Sequence, residues 1–216
     1  MVDPVKPKRK YASTRRAGQA ADTRDAVIAA ARTQFIAAGW AGTTVAGVAR
    51  AAGVSNETIY AVFGTKQALL RAAVERAVRR AEPDVALLDQ AGPQAVATAK
   101  DQRTQLALFA KDITSVLGNV AELMGVVRSA AASDATLEPL YRTLHDGRRR
   151  NLAFVTRALL QAGPLRPGLH AEAATDMLWR LASPELFLLM TKVEGLSAES
   201  YAAWLATTLE ATLLPA

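Results

Sequence analysis

Residues 43–63 read TTVAGVARAAGVSNETIYAVF. Thr44 can cap a short helix whose Val45, Val48, Ala49 and Ala52 fall on one face, and Gly53 then supplies the positive φ that a tight left-handed turn requires. Val54 is placed to be buried, and Ser55 caps a second helix that runs to about Phe63. Short apolar helix, glycine, buried aliphatic residue and polar-capped second helix together make the layout of a helix-turn-helix over residues 44–63. Small side chains at Ala49 and Ala52 let the two helices approach closely.

Upstream, Asp22 with Asp25 three residues on resembles a capping box, so a first helix is expected from about Asp22 to Gly39, with Ile28, Ala31, Phe35 and Ala38 sharing a face. Val48, Ala49, Ile59 and Phe63 can close a small core against Ile28 and Phe35. Ser55, Asn56, Thr58, Tyr60 and Ala61 are then left facing outward, on a rod narrow enough for the roughly 12 Å major groove of duplex DNA. Thr65 caps a fourth helix, which carries Leu69, Ala72 and Ala73 towards Pro83.

Beyond Pro83, breakers at Gly92-Pro93, Gly118, Ser133, Gly163-Pro164, Pro167-Gly168 and Gly195 divide the chain into about five further helices, of which Ser133 to Gly163 is expected to be the longest. No sustained strand-type alternation interrupts the helical spacing. The expected fold is all-α, with about nine helices: a three-helix head containing the helix-turn-helix, and a larger helical body. The expected division is a basic flexible arm over 1–21, a DNA-binding domain over 22–66, and an effector-binding and dimerisation domain over 67–216.

Charge is concentrated at the start. Of a net +6 over 216 residues, Lys6, Lys8, Arg9, Lys10, Arg15 and Arg16 stand against Asp3 alone in the first twenty, so the remainder is nearly neutral. Such an arm either contacts an anionic polymer or surface or is a solvated tail. Cysteine is absent, which excludes disulfides, thiolate zinc sites and cysteine nucleophiles. No apolar run approaches the roughly 18 residues of a membrane span, so a cytoplasmic chain without a membrane partner is expected.

Taken together, Phe35 to Gly39-Trp40, Thr43-Thr44-Val45, Ala51-Ala52-Gly53-Val54-Ser55, Ile59-Tyr60 with Phe63, and Lys66-Gln67-Ala68-Leu69-Leu70 resemble the DNA-binding head of the tetracycline-repressor (TetR) family over about residues 22–72. The resemblance implies phosphate contacts from Thr44, Tyr60 and Lys66, with Ser55, Asn56, Thr58 and Ala61 at positions that touch phosphates and base edges. Asn can read adenine, and Thr or Ala methyls can pack on a thymine methyl. Val45 stands where some relatives carry a long polar base reader, and Ala61-Val62 replaces an aromatic-plus-histidine pair, so base-edge hydrogen bonding is expected to be sparse. Glu57 either accepts from a cytosine amino group or, as its first-turn position favours, complements the helix dipole. Each of these residues alone could be a cap, a packing residue or a solvated charge; their coincidence at matching offsets carries the reading.

The family resemblance further implies that the body binds a small effector and pairs two copies through its last two helices. Candidate pocket residues are Phe109, Met124, Tyr141, His145, Trp179 and Phe187, with Leu117, Val127, Leu144, Phe154 and Met190 as further apolar candidates; each could equally be plain core. His145 is either a polar anchor or a surface residue beside Arg148, Arg149 and Arg150, all three expected to be exposed. Candidate dimer-interface residues are Leu181, Leu188, Tyr201, Trp204, Leu205 and Thr208, on stripes too apolar for a free surface. The implied function is a homodimeric, ligand-responsive regulator of transcription that binds double-stranded DNA, with no cofactor and no metal. An enzyme is the first rival, and only His145 and His170, with no nucleophile elbow or phosphate loop, argue against it. A membrane-surface protein is the second, and it explains the arm but not the head.

Overall fold

A computed structural model describes residues 10–215, with side chains from residue 18. Among these residues there are helices and turns and no strands. The chain divides after Leu70 into two compact units.

The first unit holds helices α1 (Lys10–Gly42), α2 (Val45–Ala52) and α3 (Asn56–Phe63), and the start of α4 (Lys66–Arg79). Helix α1 begins twelve residues before the expected start at Asp22. The reason is local: between Lys10 and Asp22 only Gly18 lacks useful helix propensity, and the Thr23 hydroxyl, a possible cap, donates instead to the Gln19 carbonyl one turn back. Residues 10–21 of the anticipated flexible arm are therefore helical, while Lys6, Lys8 and Arg9 lie outside the described residues. Near its end α1 bends at Gly39, whose φ of 68° breaks the helical ladder.

The head's core follows the anticipated pattern. Ala31, Phe35 and Val48 are fully enclosed, with Ile28, Ala49, Ile59 and Phe63 buried around them. Val54 is only half-buried and Ala38 is exposed, because both lie where a helix gives way to a turn.

The second unit contains α5 (Ala91–Thr98), α6 (Gln102–Ser133), α7 (Glu138–Ala162), α8 (Ala171–Leu181), α9 (Pro184–Leu188), a π turn (Leu189–Val193) and α10 (Ala198–Leu213). Nine of the helices have eight residues or more; α9 has five. Two anticipated breakers do not break. Gly92-Pro93 lies in the first turns of α5, where a missing N–H costs nothing, and Gly118 sits inside α6, flanked by buried Leu117, Val120 and Ala121. That burial outweighs the roughly 1 kcal/mol a mid-helix glycine costs. Consequently α6, of 32 residues, is the longest helix of the body, not the 25-residue α7.

Helix α10 presents Tyr201, Leu205, Leu209 and Leu213 at four-residue spacing, all fully enclosed with Leu106, Phe109 and Leu117 of α6 in one cluster. Polar ties fix the ends: the Gln102 amide donates to the carbonyls of Leu159, Gly163 and Pro164, and the buried Thr156 and Thr175 hydroxyls meet at 2.8 Å between α7 and α8.

Candidate DNA-binding face and body cavity

The turn between α2 and α3 is closed by its own backbone. Gly53, at φ 67°, donates to the Arg50 carbonyl, and Val54 donates to that of Ala49, the paired bonds of a Schellman ending. Gly47 leaves no room for a side chain between α2 and α1: a Cβ there would lie 2.9 Å from the Gln34 side-chain oxygen. The caps are those anticipated. The Thr44 hydroxyl accepts from the Gly47 N–H at 3.0 Å, and the Ser55 hydroxyl accepts from that of Thr58 at 3.2 Å.

These contacts aim α3. Ser55, Asn56, Tyr60 and Ala61 are exposed, Thr58 is half-buried, and Tyr60 leaves 54% of its surface in solvent. Such exposure is incompatible with Tyr60 being an interhelical packing residue. Thr44 is also exposed and Val45 half-buried at the start of α2. Glu57 is fully exposed, and hydrogen bonds from its own backbone N–H and the Ser55 hydroxyl hold its carboxyl below the usual carboxylate range. It serves the N-terminus of α3, as its position favours.

Lys66 is not a solvated charge. Its ammonium donates to the Trp40 carbonyl and stands 4.1 Å from the centre of the Trp40 ring, which stacks in turn near Phe35, and burial lowers its pKa. The glycine-tryptophan step near the end of α1 and the first residue of α4 are thus one assembly.

The second unit holds a partly open cavity of about 350 Å³, lined by α4 from Arg71 onward, by α5, α6 and α7, and by Leu87, Leu88 and Pro184. Of the pocket candidates, Phe109 and Met124 line it, as do Leu117, Leu144 and Phe154. Tyr141, His145, Trp179 and Phe187 do not. The first three form an edge-to-face column (4.5 Å from Tyr141 to His145, 5.7 Å from His145 to Trp179), and Phe187 packs edge-on against Tyr201. Phe187 is core and the other three rings are half-buried away from the void, because helical spacing alone does not say which side of α7 or α8 faces it. Val127 and Met190 are buried and likewise absent from the lining.

A residue passed over in the sequence takes their place. Arg148, expected to be exposed, lines the cavity; it donates to the carbonyls of Trp179 (2.7 Å) and Ala182 (3.1 Å) and lies 5.0 Å from the Trp179 ring centre. The signal was present in the stripe Leu140, Leu144, Leu152, Val155 and Leu159, which continues the buried face of α7 through position 148. The run Arg148-Arg149-Arg150 hid it.

Among the dimer candidates, Tyr201 and Leu205 are fully enclosed within their own unit and offer nothing to a partner. Their i, i+4 stripe covers the body's own core. Leu181, Leu188, Trp204 and Thr208 are half-buried, and Leu189 and Val193 on the π turn after α9 are exposed, Val193 by 76%.

Residues 27–73 match the family model of the bacterial regulatory proteins of the tetR family. No curated protein matches the chain. Among solved structures, a protein assigned to the TetR-family transcriptional regulators from Mesorhizobium loti is 20% identical over 89% of this chain and 95% of its own, with a TM-score of 0.67. A TetR transcriptional regulator from Chloroflexus aurantiacus is 20% identical, covering 90% and 98%, with a TM-score of 0.62. The transcriptional regulator FadR from Bacillus subtilis, solved with stearoyl-CoA, is 17% identical, covering 85% and 96%, with a TM-score of 0.65. At these identities the likeness is one of fold.

Proposed function

We propose that this chain, by its head a member of the tetR family of bacterial regulatory proteins, is a DNA-binding transcription repressor released from its operator by a small, largely apolar effector. The observation that carries the reading is α3: a helix capped by Ser55, held by Ile59 and Phe63 inside the head, that turns Ser55, Asn56, Tyr60 and Ala61 outward. In the groove, Thr44, Tyr60 and Lys66 contact phosphates, while Asn56, with Val45, Ser55, Thr58 and Ala61, meets phosphates and base edges.

With one recognition helix per chain, selectivity comes from pairing two heads, and the proposed operator is near-palindromic, with half-sites about one helical turn apart or a multiple of it. The cavity of the second unit houses the effector. Its walls are mostly aliphatic and aromatic, and its volume falls in the range of ligand sites, roughly 300–1,000 Å³. The structurally similar FadR holds an acyl-CoA, a ligand with a long apolar part. Binding there shifts the population to a form whose heads no longer fit the operator. The residue inventory and the regulators it resembles in fold both speak against catalysis, and the reading places the chain in the cytoplasm.

Selection of bound sequences from random duplex DNA, with the full-length chain, tests the reading. Enrichment of a two-fold-symmetric motif is the expected result; recovery of unrelated sequences, or binding to anionic vesicles in preference to duplex at equal salt, would overturn it.

A further inference from the structure

The cavity is not uniformly apolar, and its charge is unbalanced. Its wall carries Arg71, Arg148 and Arg150 against Glu75 and Asp112. Asp112 is spent on Arg80, which it meets at 2.8 Å, and Arg71 and Glu75, one helical turn apart on α4, are both open to solvent. Arg150 is open to solvent. Arg148 is left, and among the described residues no carboxylate lies within ion-pair distance of it; Glu185 acts on it only from further away. Burial lowers its guanidinium to about 10, so the site bears a cation that its surroundings do not neutralise.

Orphaned polar atoms cluster around the same arginine, on neighbours that stand behind the cavity lining. The buried side-chain atoms without a partner among the described residues are Gln105 Oε1, Arg148 Nε, Trp179 Nε1 and both ring nitrogens of His145, so all but one belong to Arg148 and its two aromatic neighbours. Protein interiors leave few such groups unmet. The bonds Arg148 does make, to the carbonyls of Trp179 and Ala182, tether the end of α8 and explain two of its nitrogens. They bring no negative charge, and each uses only one of the two N–H groups on its terminal nitrogen.

We infer that the cavity takes a single-chain amphiphile with a monoanionic head, a carboxylate of the fatty-acid class, its chain along Phe109, Leu117, Val120 and Met124 and its head accepting from Arg148. One unneutralised arginine matches one negative charge, which favours a carboxylate over a doubly charged phosphate. An apolar molecule without a head would leave the cation facing hydrocarbon, a costly arrangement. The inference rests on the reading of this cavity as the effector site and narrows the effector from largely apolar to apolar with one acid.

Calorimetric titration of the full-length protein with decanoate, 1-decanol, methyl decanoate and decylamine tests it. Decanoate is expected to bind about tenfold or more tightly than the alcohol and the ester, with the amine weakest. In Arg148→Met the acid and the alcohol should converge, a change that loss of the α8 tether alone would not produce. Should that variant fail to fold, Arg148→Lys keeps the charge but not the guanidinium fork, and should retain a smaller preference for the acid. Equal or tighter binding of decanol, or no binding of any of the four, overturns the inference, and the wild-type series decides this without a variant. Operator release, measured in parallel, separates the two readings. Displacement by decanol as effective as by decanoate sinks the acid head and leaves the effector site standing. Arg148-dependent binding of decanoate that leaves the operator complex intact keeps the anion site and removes the release mechanism.

Discussion

The Lys66 ammonium lies over the Trp40 ring, 4.1 Å from its centre, and donates to the carbonyl of the same residue. A lysine tethered at both its charge and its ring contact is presented to a phosphate already ordered, so little side-chain entropy is lost on binding. Lys66→Ala should weaken binding to operator and unrelated duplex alike and lower the salt slope by about one unit. Trp40→Leu, which removes the ring contact while leaving the carbonyl acceptor and the charge of the lysine, should weaken affinity with the slope kept. Fluorescence anisotropy at several salt concentrations measures both; an unchanged slope in Lys66→Ala removes the lysine from the interface.

Gly53 carries the geometry of the motif. At φ 67° it sits in the left-handed region, and nothing lies within 4 Å of where a Cβ would be, so the cost of a side chain there is conformational and not steric. Gly53→Ala should destabilise the fold by about 1–2 kcal/mol, and Gly53→Asn by less, since asparagine tolerates that region. Thermal melts of the two variants check the order. Equal loss in both would point to a clash the backbone does not contain.

Much of the head was legible in the sequence because caps and turns are local chemistry. Thr44, Gly53, Ser55 and Thr65 each act within a few residues of themselves, and each is where the spacing placed it. The body was less legible, since its outcome depends on which side of each helix meets another. Tyr201 and Leu205 turned inward as their stripe allowed, Gly118 was overridden by buried neighbours, and Arg148 occupies a core position that its own chemistry disguises. The dual partner of Lys66 was equally hidden: 26 residues separate it from Trp40, and only the folded head brings them together.

His145 supplies a pH test. Burial, and then the charge of Arg148, lower its pKa below the ordinary value of 6.5, while Glu185 and Asp146 act the other way; Tyr141 and Trp179 are the rings against it. A histidine depressed in the folded state binds its proton more readily when unfolded, so stability is full above about pH 6.5 and falls as pH drops from there to the folded pKa. His145→Phe should flatten that acid-side decline. Melting temperature against pH between about 4.5 and 7.5 measures it; an identical slope in wild type and variant would assign the decline to other groups.

The buried hydroxyl pair of α7 and α8 predicts an asymmetry. Thr175 donates to the Ala171 carbonyl at 3.0 Å, so its proton is committed and Thr156 must donate to it across 2.8 Å. Thr175→Val leaves the Thr156 donor without an acceptor in a closed site, at a cost of about 1–3 kcal/mol, whereas Thr156→Val removes a donor and leaves Thr175 satisfied. The double variant should therefore be more stable than Thr175→Val alone. Denaturant unfolding of the three proteins forms the cycle, and additive losses would show that the hydroxyls do not depend on each other.

Leu189 and Val193, exposed by 47% and 76% on the π turn that follows α9, are the two most exposed large apolar residues described in the second unit, once Tyr201 and Leu205 are assigned to the core. Half-buried Leu188 adjoins it in the chain, and a two-fold pairing that places this turn against its own copy would remove these side chains from water. Replacing Leu189 or Val193 by lysine puts like charges on both sides of such a seam without disturbing a buried side chain. Each variant should therefore keep the wild-type melting of its own helices while dissociating at micromolar concentration, and should bind a two-half-site duplex no more tightly than a single half-site. Sedimentation of the wild type and both variants, with titrations on the two duplexes, measures this directly. If the variants stay dimeric, the seam lies elsewhere on the body, and the exposed turn is not where two heads are paired.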